Sequence, residues 1–147
     1  MTERTFSEDV KVSKLLLDQH LEEQSELVDH YGKQVAEARE IRDDLKAKLD
    51  LKRADKRLYY KTNPPATLPK PTADDLDALV TTDPEVQEAQ NAYIKASRDL
   101  DEWMAAERAI EAKGKALGNL TSLYGASYFA TPRSGSQEPS RGYKPET

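Results

Sequence analysis

Proline placement constrains this chain more than any other feature. No proline and a single glycine, Gly32, fall between residues 7 and 61, whereas residues 62–72 (TNPPATLPKPT) hold four prolines in eleven positions. Proline lacks a backbone donor and its ring clashes with the preceding turn, so a helix must end near Lys61. The segment after it is extended and fairly stiff. An uninterrupted helix over 7–61 would be ~80 Å long, too long for the core of a small globule. Ser7, followed by Glu8 and Asp9, supplies a cap and acids suited to the helix dipole at its start.

The apolar residues of this run follow a seven-residue repeat. One register is Leu21, Val28, Val35, Arg42, Leu49, and the other is Leu17, Gln24, Tyr31, Ala38, Leu45. Residues at these spacings share one seam of a coiled coil. A short helix is predicted over 73–80, capped by Thr72. Asp83-Pro84-Glu85 then carries the signature of a new helix: an acidic cap, proline at the first position, and an acid behind it. From Val86 the repeat resumes as Val86, Tyr93, Leu100, Glu107, Gly114, Thr121, Tyr128 and as Ala89, Ala96, Trp103, Ile110, Leu117, Tyr124. Tyr124, Tyr128 and Phe129 are expected to pack against the N-terminal half of the partner helix, the alternative being an oligomer contact. The fold class implied is all-α: two long helices, about 7–61 and 84–129, joined by the proline-rich linker 62–72 into a hairpin within a domain of residues 1–130. Residues 131–147, with three prolines, two glycines and three serines, read as a disordered tail.

Leu, Ile, Val and Phe number only 27 of 147 residues. A share that small suffices for folding only because it is lined up on two seams, so further copies are expected to complete the core as a homo-oligomer. The chain has no cysteine, which removes disulfides, thiolate metal sites and thiol nucleophiles. His20 and His30 lie ten positions apart, off the i, i+4 geometry of a helical metal pair. The acids Asp74, Asp75 and Asp77 lack the glycine of a calcium loop. No glycine-rich phosphate loop or nucleophile elbow occurs. A non-enzymatic protein without metal or cofactor is expected. No apolar run approaches a membrane span and no secretory leader is visible, which points to a cytoplasmic location.

The net charge of −5 conceals opposing blocks. Residues 1–30 carry −5, 31–61 carry +4, 72–111 carry −8 and 112–147 carry +3. The sharpest cluster is residues 46–61, where Lys46, Lys48, Lys52, Arg53, Lys56, Arg57 and Lys61 face two acids and end on Tyr59, Tyr60 and Lys61 itself. On a helix they form two stripes at i, i+4 spacing, 48-52-56 and 53-57-61. Lys52 and Lys56 fall on the seam, so the apolar seam is expected to stop near Leu49 and the following turns to be solvated. Cations that replace counterions on phosphates, beside tyrosines on which bases stack, are the ingredients of a single-stranded nucleic-acid site. The competing reading is a solvated helix end with two tyrosines closing the core.

The run LKRADKRLYY (51–60), the linker, the DPEV start at 83–86 and a second helix closing on LYGASYF resemble the UvsY-type recombination mediators of bacteriophages. The likeness spans about residues 7–130. It implies a single-stranded-DNA-binding protein, assembled as a hexameric or heptameric ring, that helps a RecA-like recombinase displace the single-strand-binding protein in the host cytoplasm. It assigns the DNA contacts to Arg53, Lys56 and Arg57, with Lys52 nearby. The acidic first half of the second helix and the pI near 5.2 depart from a strong DNA binder. An alternative reading is a structural or assembly protein, a virion component or scaffold. There the charge blocks zip an antiparallel hairpin, setting residues 46–61 against the acids of 85–102.

Overall fold

A computed structural model describes residues 5–126, apart from the side chain of Lys14. The described chain is helical without strands. It comprises α1 (Phe6–Asp9), a 3-10 turn (Lys14–Leu16), α2 (Leu17–Thr62), α3 (Ala73–Thr82) and α4 (Pro84–Gly125). The expected tail 131–147, with Tyr128 and Phe129, lies outside the described residues.

The fold is an antiparallel hairpin of α2 and α4, each more than ~60 Å long. Leu27 and Tyr31 pack with Ile110, Val35 and Ala38 with Leu100, and Leu49 with Val86 and the α3 residue Val80. Among the described residues, three small clusters, the first two bridged by Trp103, thus replace one thick core. On α4 the seam follows the heptad from Val86 through Ala96, Leu100 and Ile110 to Leu117, all buried. Trp103 sits half-buried on it, its ring tilted against that of Tyr31 at 6.1 Å.

On α2 the heptad positions Tyr31, Val35, Ala38 and Leu49 are buried as expected, but the phase shifts before them. Leu21 and Val28 are 41% and 44% exposed, while Leu27 is 1% exposed. The buried positions step 27, 31, 35, two strides of four residues. A straight α-helix turns every 3.6 residues, so a seven-residue repeat drifts off the contact line unless the helices supercoil. A pair of four-residue strides restores it.

The first helix also starts later than expected. Ser7 does not cap a long helix. Thr5 precedes the single turn α1 without a side-chain cap bond, and the helical path is broken between Val10 and Ser13 before α2 begins at Leu17. Contacts distant in sequence override local continuity here. The buried Asp9 carboxylate accepts a hydrogen bond from the Tyr31 hydroxyl at 2.9 Å. The buried ammonium of Lys113 donates to the Asp9 carbonyl, and Val10 packs on the Leu27–Ile110 cluster. Ser13 N–H donates to His20 Nε2, so this histidine anchors the break. At the far end Tyr124 is 42% exposed and lines a groove with Leu15, Leu17 and Leu21, beside the start of α2 rather than within the seam.

The turn region follows its local signals. Thr72 and Asp75 form a reciprocal capping box on α3. These bonds from the Thr72 backbone and side chain hold the Asp75 carboxyl below its ordinary value. Asp83 Oδ1 accepts from the backbone N–H groups of Glu85 and Val86, with Pro84 at the first position of α4. Leu68 N–H bonds the Pro65 carbonyl within the linker.

Candidate nucleic-acid interface

The basic residues 46–61 occupy the last four turns of α2, against α3 and the start of α4. At 100° per residue the two stripes straddle the line through Leu49, Lys56 and Tyr60 that faces the partner helices. The seam does not stop at Leu49. It changes chemistry: the partner surface at this height presents carboxylates, and the lysines meet them.

Lys52 Nζ lies 2.9 Å from Glu85 Oε2, and Lys56 Nζ lies 2.7 Å from Glu85 Oε1 and 3.3 Å from Asp83 Oδ2. The Lys56 side chain is 19% exposed and that of Asp83 only 5%. Tyr60 OH donates to Asp83 Oδ2 at 2.8 Å. Asp83 therefore performs two tasks at once, one oxygen capping α4 and the other holding α2. On the other stripe, Arg57 Nη1 pairs with Asp77 Oδ1 at 2.7 Å, and Arg53 Nη2 donates to Gln90 Oε1 at 2.7 Å. The three residues to which the resemblance assigns DNA contact, and Lys52 beside them, thus all bond to side chains of α3 or α4.

Lys46, Lys48 and Lys61 are exposed and make no side-chain hydrogen bond or ion pair among the described residues. The two tyrosines separate in role. Tyr60 is half-buried and packs on the Leu49–Val80–Val86 cluster. Tyr59 is 55% exposed, meets Tyr60 edge-on at 5.4 Å, and has the Lys56 ammonium 5.9 Å from its ring centre. An open groove of about 320 Å³ beside this end is lined by Lys48 and Lys52 on α2 and by Glu85 and Glu88 on α4. Its walls are therefore of opposite charge.

The electrostatics of this junction follow from its geometry. The Glu85 hydrogen bond, joined by Asp83 and opposed by burial, raises the Lys56 ammonium above its ordinary value. Lys56 and Lys52 hold the Glu85 carboxyl low. Burial alone would push Asp83 up, but the bonds from Tyr60, the Glu85 and Val86 N–H groups and Lys56 outweigh it and hold the carboxyl below the usual range. The bond to Asp83, with burial and that carboxylate's charge, raises the Tyr60 phenol.

Depressed carboxylates stabilise the fold above their unfolded values, and that contribution is lost as pH falls through the depressed ones. Raised Lys and Tyr groups act at the alkaline end, their contribution present below the ordinary values and lost as pH rises through the raised ones. Thermal unfolding across pH is expected to show a plateau between roughly pH 5 and 9. Asp83→Asn, which keeps a capping side chain, should make the acid limb shallower. An acid limb unchanged by that substitution would contradict the assignment.

The sequence marked Asp83 as a cap but gave no sign of its bond to Tyr60. Asp77 and Gln90 were not foreseen either, because their partnership with the arginines depends on where the linker returns the chain. Among the described residues no group of His, Asp and Glu could hold a metal ion, and no helix is long and apolar enough to cross a membrane. No family model, curated protein or solved structure matches the chain. The likeness to UvsY-type mediators therefore rests on the residues quoted for it.

Proposed function

We propose that this chain is a non-catalytic, single-stranded-DNA-binding protein of the recombination-mediator kind, acting as a homo-oligomer in the cytoplasm (the host's, if phage-encoded). The observation that carries this reading is the solvent-facing part of the basic end, where Lys46, Lys48 and Lys61 have no side-chain partner among the described residues and Tyr59 is 55% exposed. Lysines in that state take phosphates at the expense only of mobile counterions, and a tyrosine face stacks any base. Copies joined in one assembly present the patch repeatedly, so avidity supplements a weak single site. By resemblance, the partners would be a RecA-like recombinase and the single-strand-binding protein it replaces.

One observation favours a second reading, that of a structural or assembly protein. Lys52, Lys56 and Arg57 are already paired with Glu85, Asp83 and Asp77, as a self-neutralising hairpin requires. The exposed pairs of Lys52 with Glu85 and Arg57 with Asp77 are weak and screened by salt, so phosphates compete with them, whereas Lys56 and the buried Asp83 stay paired. Anisotropy of a labelled single-stranded oligonucleotide separates the readings. Binding is expected at low salt, falling steeply as salt rises. Lys46→Glu with Lys61→Glu should weaken it by more than roughly 20-fold, taking about five-fold per phosphate contact at 0.1 M salt. No binding at low salt, or binding indifferent to salt, would leave the structural reading.

A further inference from the structure

The outer face of α2, opposite the seam that meets α4, carries a second seam. Ala47, Leu51, Ala54 and Leu58 are spaced by four, three and four residues and lie within a ~60° sector centred away from Leu49 and Lys56. All four are exposed. Leu51 and Leu58, each 64% exposed, are surpassed only by Leu15 among the exposed large apolar side chains. Ala54 borders an open groove whose other wall is Asp77, Val80 and Thr81 of α3, while Leu51 and Leu58 project into solvent on a helix that buries its other side. Apolar residues at heptad spacing on a solvent face mark a helix-packing surface.

The charges beside this seam indicate what covers it. Lys48 and Asp55 border one side, Asp50 and Arg57 the other. Lys48, Asp50 and Asp55 have no side-chain partner among the described residues, and Arg57 is half-exposed beyond its bond to Asp77. Asp50 and Asp55 are moreover the only acids in residues 46–61. In an antiparallel pair of identical helices centred between Lys52 and Arg53, Lys48 faces the partner's Asp55 and Asp50 faces the partner's Arg57, each twice by symmetry. The layers match as well: Leu51 meets the partner's Ala54 and Leu58 the partner's Ala47. Large against small in every layer lets the helices approach closely without voids. The parallel pairing fails on both counts. It sets Asp50 against the partner's Asp55, and it stacks leucine on leucine and alanine on alanine.

We infer that this face docks a second copy of the chain, as a two-fold antiparallel pairing of α2 through Ala47, Leu51, Ala54 and Leu58. The contact is isologous and closes at two copies, unlike the head-to-tail contact of a ring. It centres on the basic run, so it brings two of those runs together. The short seam makes the pairing concentration-dependent. It does not depend on the nucleic-acid reading, and the two are tested apart.

Sedimentation equilibrium of the full chain over a wide concentration series is the test. The mass is expected to rise from the 16.5 kDa of one chain toward twice that value. Leu51→Asn with Leu58→Asn should weaken association by more than about ten-fold. These side chains are solvent-exposed in the single hairpin, so its helicity and melting should hold. Lys48→Asp should also weaken association, and Lys48→Asp with Asp55→Lys should restore it, because the swap rebuilds both pairs in the antiparallel arrangement. A chain that stays at one copy throughout overturns the inference. So does a dimer or larger assembly indifferent to the leucine variants, or a charge swap that fails to rescue. A single-copy chain that still binds oligonucleotide overturns the pairing and the homo-oligomeric part of the proposed function, and leaves the nucleic-acid reading standing. A dimer that binds none overturns the proposed function alone.

Discussion

Leu27→Ala is expected to destabilise the hairpin by about 3 kcal/mol, within the usual range for truncating a fully buried leucine, while Val28→Ala one position away changes stability by less than about 0.5 kcal/mol. Leu27 is 1% exposed, at the centre of the cluster with Tyr31 and Ile110, whereas Val28 is 44% exposed. The core is three small clusters, so no neighbouring layer is thick enough to refill the cavity. A loss of that size lowers the melting temperature by about 10 °C in a domain of this length, which circular dichroism melts of the two variants read directly. The opposite ranking is what an unbroken heptad requires, and it would place the contact line of α2 on the wrong face.

Glu85→Gln should change binding in the opposite sense to the lysine reversals, as a gain. Glu85 holds both Lys52 and Lys56 where phosphate oxygens would otherwise sit. Removing its charge frees Lys52, worth roughly five-fold in single-strand affinity at 0.1 M salt, while Lys56 stays paired with Asp83. An increase of about five-fold is expected, with a steeper dependence on salt. Asp83 still caps α4 and holds Tyr60 in this variant, so the helix end stays in place. Anisotropy titrations of both proteins at several salt concentrations check it. If the hairpin is purely structural, the substitution creates no binding and only loosens the junction.

The parts of this fold that were legible in the sequence are those set by neighbours along the chain. Asp83-Pro84 and Thr72 start α4 and α3 where their side chains can reach the first free N–H groups. The seam of α4 keeps its register from Val86 to Leu117, with Leu100, Ile110 and Leu117 buried on it, although Ala89, Ala96, Glu107 and Gly114 interrupt the large apolar side chains. Errors arose where distant residues decide. The break before Leu17 depends on Asp9, Val10 and Lys113, about a hundred residues apart, and no local signal marks it. Leu27 takes the place of Val28 because the contact line shifts by one position before Tyr31, while Tyr31, Val35, Ala38 and Leu49 keep the heptad.

The candidate site was legible as a cluster and illegible as a network. Its nine residues do share one end of α2. Which cations remain available was hidden, because that depends on the height at which Glu85, Asp77 and Gln90 come back beside them. The competing reading did anticipate acids of the second helix at this end. Glu85 meets that expectation, and it takes the lysines that were expected to be solvated.

The most direct test of the central claim, that the basic end of α2 binds single-stranded DNA, is the mass of the protein with and without an oligonucleotide at low and high salt. The account predicts a protein–oligonucleotide complex at low salt that dissociates to protein alone at high salt. A protein whose mass is the same with and without oligonucleotide at low salt would contradict it.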